Sequence, residues 1–322
     1  MEKEKRRAML AHLTALAVII MWGTTFVATK VLLRELPPED IMFFRFLLAY
    51  AALWIAYPHP VRSEGWRREG LYLAAGLCGV TGYFLLENMA LTYSYASNVS
   101  LVISVAPMLT ALFAHFLLKD EPLRGRFFLG FVIAIAGVAL VTLNGNMVLK
   151  LSPAGDLLAV LAACCWAMYS VIMRRLTAGG LHPAAITRRV FFYGLLTMSP
   201  VFLFRGHVPD ITAFTRPTGL FNLLFLGLGA SALGFVLWNR TVGVLGAVKT
   251  SAYIYLQPVA TLVTAALVLH ERMAPLMLLG GVLTLAGLVL SESGKKAVRT
   301  ADGRELPAAP GRKETAKETV HK

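Results

Sequence analysis

Glu87 is the strongest candidate for a chemical role in this sequence, because it is the only acidic residue well inside a hydrophobic segment and away from a loop. An ionisable side chain in such a position is costly, so it usually pairs with another group or serves a pathway. Tyr83 lies one helical turn earlier, on the same face. Two interpretations stay open: Glu87 binds a ligand amine or accepts a proton, or it forms an ion pair with Lys30 or Arg45 at the helix end.

Hydroxyl and amide side chains form a second group of candidates. Spacings of three and four residues place Ser97, Ser100 and Ser104 on one face of a helix. Such serines either contact a ligand or bond to a closely packed helix, and both interpretations stay open. Tyr255 and Gln257 are stronger candidates, because a large polar side chain beside a kink can line a pocket. The same segment also contains Ser251 and Tyr253.

Tryptophans provide a third group, which could form the aromatic lining of a cavity. Trp22 and Trp166 lie at matching positions 144 residues apart, with Thr24, Thr25 and Tyr169 nearby. Trp238 is either another cavity residue or an anchor at a membrane interface. With the matching pair Asn88 and Asn239, the predicted ligand-binding residues are Trp22, Thr25, Tyr83, Glu87, Asn88, Ser100, Ser104, Trp166, Tyr169, Trp238, Asn239, Tyr253, Tyr255 and Gln257.

Two prolines lie inside hydrophobic segments at matching positions, Pro107 and Pro258, which are 151 residues apart. A proline there removes a backbone donor and clashes with the preceding turn, which frees a carbonyl group. In hydrocarbon that carbonyl must find a partner or line a cavity. Prolines are also simply tolerated in membrane helices, but their occurrence in both matching segments favours a pair of hinges.

The matching positions extend along most of the chain. An offset of 151 residues relates Ser100 to Ser251, and an offset of 144 relates Arg45 to Arg189. These registers predict two copies of one unit. In a membrane protein, duplicated halves are typical of a transporter with its binding site at their interface. The predicted copies occupy residues 9–144 and 154–292, with a linker at 145–153.

The composition indicates a membrane protein, with 57% hydrophobic residues, 15% charged residues and a positive mean hydropathy. The apolar runs have the length of about 20 residues that a helix needs to cross a bilayer. Membrane barrels would require short alternating segments instead. We therefore predict an all-α integral membrane protein with ten spans, at about residues 9–32, 40–58, 70–91, 96–118, 126–144, 154–174, 186–204, 218–238, 247–269 and 274–292.

Five spans in each copy require the second copy to enter the membrane inverted. With residues 1–8 in the cytoplasm, the inner segments hold 24 Lys and Arg residues against seven outside. The bias stays at 16 against seven without the C-terminal tail, so both termini are predicted to be cytoplasmic. The tail, residues 293–322, is predicted to be disordered. We expect Lys30, Arg45, Arg174 and Arg189 near the membrane surfaces, as snorkelling residues that set topology.

The net charge of +13 does not indicate a nucleic-acid partner, because topology and contact with anionic lipid explain it. No catalytic, nucleotide or dinucleotide motif is present in the sequence, although His115 to Asp120 fits an acyltransferase spacing. Cys78, Cys164 and Cys165 are expected to be packing residues rather than a disulfide or metal framework. We predict a transporter that has neither enzyme activity nor a cofactor. The alternatives to a transporter are an intramembrane enzyme, of the acyltransferase kind, and a channel.

Small residues recur on the fifth and tenth spans: Gly130, Ala134 and Gly137, with Gly280 and Gly287 as counterparts. They predict close helix packing, either within one protomer or in a homodimer. Glu121 and Glu271 precede these spans, where an acidic residue suits the positive end of a helix.

The ordered set of short motifs resembles the bacterial EamA-type branch of the drug/metabolite transporter superfamily over residues 9 to 292. The resemblance rests on Trp22-Gly23-Thr24-Thr25-Phe26, Phe44-Arg45-Phe46, Ala90-Leu91-Thr92-Tyr93, Gly155-Asp156-Leu157 and Tyr255-Leu256-Gln257-Pro258. It implies an inner-membrane carrier that exports or exchanges small metabolites, often amino acids, by alternating access. It also implies a central cavity lined mainly by the first, third, fourth, sixth, eighth and ninth helices.

Overall fold

The computed structural model describes residues 2–60, 65–94, 96–118, 125–142, 153–204, 206, 211–269 and 275–292. These residues form helices and no strand. Outside the described part lie the predicted linker up to residue 152, the tail at 293–322, Asp120, Glu121, Glu271 and the side chain of Ser97.

Five helices form the first half of the protein. They are α1 (Glu2–Leu32), α2 (Pro38–Ala56), α3 (Trp66–Tyr93), α4 (Ala96–Ile103 and Ala106–Leu117) and α5 (Gly125–Thr142). A helix satisfies its backbone polar groups internally, as hydrocarbon requires of a spanning segment. α1 begins at Glu2, so a charged stretch of helix precedes the apolar run that starts near residue 9.

Five more helices form the second half. They are α6 (Pro153–Thr177), α7 (Pro183–Leu203), α8 (Pro217–Leu245), α9 (Ala247–Ala252 and Gln257–Leu269) and α10 (Pro275–Glu292), and a short 3-10 helix, Ile211–Phe214, precedes α8. Five of the ten helices begin at a proline, where the fixed φ angle suits the first turn and the missing N–H group would have no helical acceptor.

The ten helices confirm the predicted all-α architecture of two inverted five-helix repeats. Within the described residues, α1, α3, α6 and α8 are long and apolar enough to cross a membrane by length and composition alone. The others are shorter or less apolar. α2, for example, contains Glu39, Asp40 and Arg45 within 19 residues.

Two π-helical segments interrupt α3 and α8 at equivalent positions. They span Leu77–Gly82 and Phe225–Leu233, and the 151-residue offset places Leu77 opposite Leu228. π-helical turns are rare in proteins, but those that occur often lie at functional sites. The hydrophobic pattern does not predict them, because both segments are as apolar as the regular helix around them.

Two further interruptions precede the predicted hinge residues. α4 is broken between Ile103 and Ala106, just before Pro107, and α9 has a 3-10 turn at Tyr253–Leu256, just before Pro258. Each proline removes the N–H group that would bond to the carbonyl four residues earlier. The backbone irregularity predicted from the prolines is therefore present in both halves, at equivalent positions.

α5 and α10 pack backbone to backbone through their glycines. A Cβ atom on Gly137 would lie 2.5 Å from the backbone nitrogen of Thr284, and one on Gly287 would lie 2.4 Å from the nitrogen of Ala134. Of the two predicted uses of these glycines, the structure shows the contact within one chain.

We expect Gly137→Ala and Gly287→Ala each to lower the free energy of unfolding by about 1–3 kcal/mol, because the added methyl group overpacks a backbone contact. Thermal unfolding in detergent measures the change. Gly125→Ala is the matched control, since nothing lies within 4 Å of a Cβ atom at that position. Equal melting temperatures for all three variants would contradict the close packing.

Candidate functional site

A cavity lies between the two halves of the protein. Its walls come from α1 to α4 and from α6, α8 and α9, and they consist of Trp22, Thr25, Arg45, Tyr83, Phe84, Glu87, Ile103, Trp166, Phe235, Ile254 and Gln257. The space between these walls and at the mouth measures about 380 Å³, but only about 20 Å³ of it can hold the centre of a water molecule. The side chains therefore nearly fill the cavity in this conformation.

The cavity contains a buried pair of opposite charges. Arg45 and Glu87 are each 4% exposed. The carboxyl group of Glu87 interacts electrostatically with Arg45 and with the hydroxyl of Tyr83. Its Oε2 atom has no hydrogen-bond partner among the described residues. The site therefore combines a fixed cation with a carboxylate oxygen that can still accept a donor.

Arg45 is held in place by α8 and by an aromatic ring. Its Nε atom donates to Ser231 Oγ at 2.6 Å, and its guanidinium carbon lies 4.3 Å from the ring centroid of Phe84. The prediction that Arg45 is a snorkelling residue near the membrane surface was therefore wrong. Ser231 belongs to the π-helical segment of α8, so this irregular turn supplies the hydroxyl that positions the charge.

Lys30 does not share this site. Its Nζ atom donates to the carbonyl oxygens of Leu91, at 2.6 Å, and Ser94, at 3.1 Å, at the end of α3. Of the two partners considered for Glu87, Arg45 is the one that lines the same cavity and interacts with Glu87 electrostatically. The pair lies inside the cavity rather than at an exposed helix end.

Aromatic rings enclose the charged pair. Trp22 lies 5.3 Å from Trp166 in an edge-on arrangement and 5.3 Å from Phe235, measured between ring centroids. Tyr83 lies 5.0 Å from Trp166. The Nε1 atom of Trp22 donates to the carbonyl oxygen of Ala230 at 2.8 Å, in the π-helical segment of α8. The symmetric aromatic lining expected from Trp22 and Trp166 thus lies in the cavity wall.

Six of the fourteen predicted ligand-binding residues lie in the cavity wall, namely Trp22, Thr25, Tyr83, Glu87, Trp166 and Gln257. The structure places the other eight behind the wall or elsewhere: Asn88, Ser100, Ser104, Tyr169, Trp238, Asn239, Tyr253 and Tyr255. Most of these eight side chains contact neighbouring helices and hold them together.

Tyr169 and Asn239 belong to a network within the second half. The hydroxyl of Tyr169 donates to Asn239 Oδ1 at 2.7 Å, and Asn239 Nδ2 donates to Thr187 Oγ1 at 3.0 Å. These bonds join α6, α8 and α7. The counterpart of Asn239, Asn88, donates to the carbonyl oxygen of Pro38 at 3.2 Å and so joins α3 to α2.

The remaining predicted side chains bond within their own helix or pack against other helices. Ser104 Oγ donates to the carbonyl oxygen of Ser100 at 2.8 Å, within its own helix. The hydroxyl of Tyr253 lies 2.6 Å from His12 Nδ1, on α1. The ring of Trp238 packs against Trp22 in a tilted arrangement, with ring centroids 5.0 Å apart, and the ring of Tyr255 lies 6.2 Å from that of Phe131 of α5.

Five wall residues were not predicted: Arg45, Phe84, Ile103, Phe235 and Ile254. A signal for two of them exists in the sequence, since Ile103 and Ile254 each lie four residues before a hinge proline. Their carbonyls are therefore the ones that lose a helical donor. α2 adds Arg45 to the six helices that the resemblance implied. Among the described residues, no group of three His, Cys, Asp or Glu side chains could hold a metal ion.

Known proteins share this arrangement. A solved crystal structure matches with a TM-score of 0.70 at 20% sequence identity, over 88% of this chain and 96% of that chain, and at this identity the likeness concerns the fold alone. An uncharacterized transporter of Archaeoglobus fulgidus is 28% identical, over 87% of this chain and 96% of its own length. A probable amino-acid metabolite efflux pump of Escherichia coli is 28% identical, over 88% and 96%. A probable terminal-alkyne amino-acid exporter of Streptantibioticus cattleyicolor is 30% identical, over 92% and 96%.

The sequence model of the EamA-like transporter family matches the chain twice, at residues 9–143 and 153–292, once in each half. The relatives are named as transporters, exporters or efflux pumps rather than as enzymes. With two five-helix halves around one cavity, this multi-pass membrane protein belongs to the EamA-like transporter family.

Proposed function

We propose that this transporter exports or exchanges small zwitterionic metabolites such as amino acids across the bacterial inner membrane. It binds them at the interface of the two repeats and works by alternating access, without a nucleotide or cofactor. Both termini lie in the cytoplasm, as the distribution of lysine and arginine indicates. The observation that carries the proposal is the buried pair of Arg45 and Glu87 in the cavity between the halves.

The charges of the pair support a zwitterionic ligand. An arginine binds a carboxylate through its planar fork of N–H groups. The Nε atom of Arg45 donates to Ser231, and its two terminal nitrogens remain to bind the carboxylate of a ligand. A glutamate binds an ammonium group, and Oε2 of Glu87 has no partner among the described residues. A ligand with one positive and one negative group therefore preserves the neutrality of the buried site, whereas a singly charged ligand leaves one charge uncompensated.

The walls support a ligand with an apolar part. Trp22, Trp166, Phe84 and Phe235 surround the charged pair with aromatic faces and edges. Pockets of this kind obtain affinity from apolar surface and orientation from a few polar groups. The words "amino-acid" in the names of two relatives agree with this chemistry.

The nearly filled cavity supports a transport cycle with moving helices. Only about 20 Å³ of the cavity can hold the centre of a water molecule, so the walls must separate before a metabolite enters. The interruptions before Pro107 and Pro258 lie in α4 and α9, which belong to different halves. We assign the hinges of the cycle to these two positions.

Counterflow in proteoliposomes tests the substrate class. We expect saturable exchange of amino acids with apolar side chains. The matching amines without a carboxylate and the acids without an ammonium group should exchange roughly 10-fold or more slowly, because each loses a charge-assisted contact of about 1.5–3 kcal/mol. Equal exchange of all three classes would overturn the proposed charge recognition. Flux that does not saturate would indicate a channel, and a chemically altered product would indicate an enzyme.

Glu87→Gln should reduce exchange of zwitterions by roughly 10-fold or more and should abolish any dependence on a proton gradient, because the carboxylate no longer binds an ammonium group or a proton. Arg45 keeps its contacts with Ser231 and Phe84, so the variant should fold. Glu35→Gln is the matched control, since Glu35 pairs with Arg216 at the surface and is about half exposed. Wild-type exchange and pH dependence in Glu87→Gln would rule out a role for this residue in recognition and coupling.

Pro107→Ala and Pro258→Ala should lower the exchange rate while changing substrate affinity by less than about twofold, because alanine restores a helical donor and stiffens the proposed hinge. Rates come from counterflow, and affinities come from ligand-dependent thermal stabilisation. Pro200→Ala is the control, because Pro200 also lies inside a helix, α7, but away from the cavity walls. A wild-type rate in both hinge variants would contradict the assignment.

A further inference from the structure

A second cleft lies at the outside of the helix bundle, where the end of α2 meets the start of α7. Its walls include Arg188, Arg189, Trp54 and Phe192, and the space in and before it measures about 620 Å³. Trp54 and Phe192 are 38% and 47% exposed, although both are large aromatic residues. The cleft therefore combines aromatic surface with two arginines, away from the central cavity.

The two arginines differ in how their charges are balanced. Arg189 forms an ion pair with Glu69, whose Oε2 atom also accepts a hydrogen bond from Tyr193 at 2.7 Å. Arg188 is only 5% exposed, yet no carboxylate among the described residues pairs with it. Among the residues that the structure describes, one positive charge in the cleft is thus left without an anion.

The contacts of Arg188 orient this charge. Its guanidinium donates to the carbonyl oxygens of Tyr57 and His59, and its central carbon lies 3.8 Å from the ring centroid of Trp54. These partners are neutral. A guanidinium group has five N–H donors, and two are used here, so donors remain for a further acceptor.

In the proposed topology, the cleft extends from a membrane surface into the hydrocarbon. α2 ends at Ala56 and α7 begins at Pro183, so both helix ends lie at one surface, which is cytoplasmic in the proposed orientation. Phe192 lies nine residues along α7 from Pro183, which corresponds to a depth of about 13 Å. Anionic lipids accumulate at a basic cytoplasmic surface of this kind.

We infer that this cleft binds an anionic phospholipid of the cytoplasmic leaflet, with the lipid phosphate on Arg188 and an acyl chain along Phe192. Arginine binds phosphate oxygens through parallel charge-assisted hydrogen bonds, and stacking on Trp54 fixes the plane of the guanidinium. The exposed aromatic surface contacts the acyl chain. The bound lipid touches α2 of the first half and α7 of the second, and it stabilises their contact.

Native mass spectrometry with equal amounts of phosphatidylglycerol and phosphatidylcholine in detergent tests the headgroup. We expect the protein to retain phosphatidylglycerol about fivefold over phosphatidylcholine, and Arg188→Gln to reduce this ratio to about one. Arg67→Gln is the control with the same loss of charge, because Arg67 is exposed and lies against Trp66, outside the cleft. An equal loss of selectivity in both variants would show diffuse surface attraction and would overturn the proposed site.

A second pair of variants tests the acyl-chain contact and does not depend on folding of Arg188→Gln. Phe192→Ala should reduce retention of phosphatidylglycerol roughly threefold, because it removes apolar contact surface. Phe128→Ala removes a similarly exposed ring, at 44% compared with 47%, from α5 outside the cleft. Retention in Phe192→Ala that equals retention in Phe128→Ala would contradict the inference, as would absence of any phosphatidylglycerol preference in the unaltered protein.

Discussion

Hydrocarbon offers no water to an unpaired backbone carbonyl, so the protein itself must satisfy every interruption of a spanning helix. The hydrogen bond from the Trp22 indole to the carbonyl of Ala230 meets this requirement in the π-helical segment of α8. The next residue, Ser231, accepts the hydrogen bond from Arg45. This one irregular turn thereby holds two side chains of the cavity wall, Trp22 from α1 and Arg45 from α2. It also joins the two halves of the protein at the cavity.

The duplicated halves bring different chemistry to equivalent positions. Glu87 corresponds to Trp238, and Arg45 corresponds to Arg189. In the first half the acid and the arginine both line the cavity, whereas Arg189 binds Glu69 outside it and Trp238 packs against the ring of Trp22. The residues that contact these equivalent positions differ, Ser231 for Arg45 and Glu69 for Arg189, so a repeated backbone can carry an asymmetric pair of charges.

The polar contacts also separate fixed parts of the molecule from interrupted ones. Tyr169, Asn239 and Thr187 bond α6, α8 and α7 to one another, so these helices of the second half are joined by side chains. α4 and α9 instead contain breaks before their prolines, and Ile103 and Ile254, four residues before them, line the cavity. In the proposed cycle, motion at these breaks acts directly on the walls that surround the ligand.

The sequence by itself determined the helices, because apolar length and proline at the first turn are local properties. The ninth span, for example, was expected at residues 247–269 and runs from Ala247 to Leu269. The sequence also identified Glu87, Trp22 and Gln257, which reach the cavity. Only the tertiary structure decided that Asn239 bonds between helices while Arg45 turns inward, because the rotation and tilt of each helix are set by packing against its neighbours.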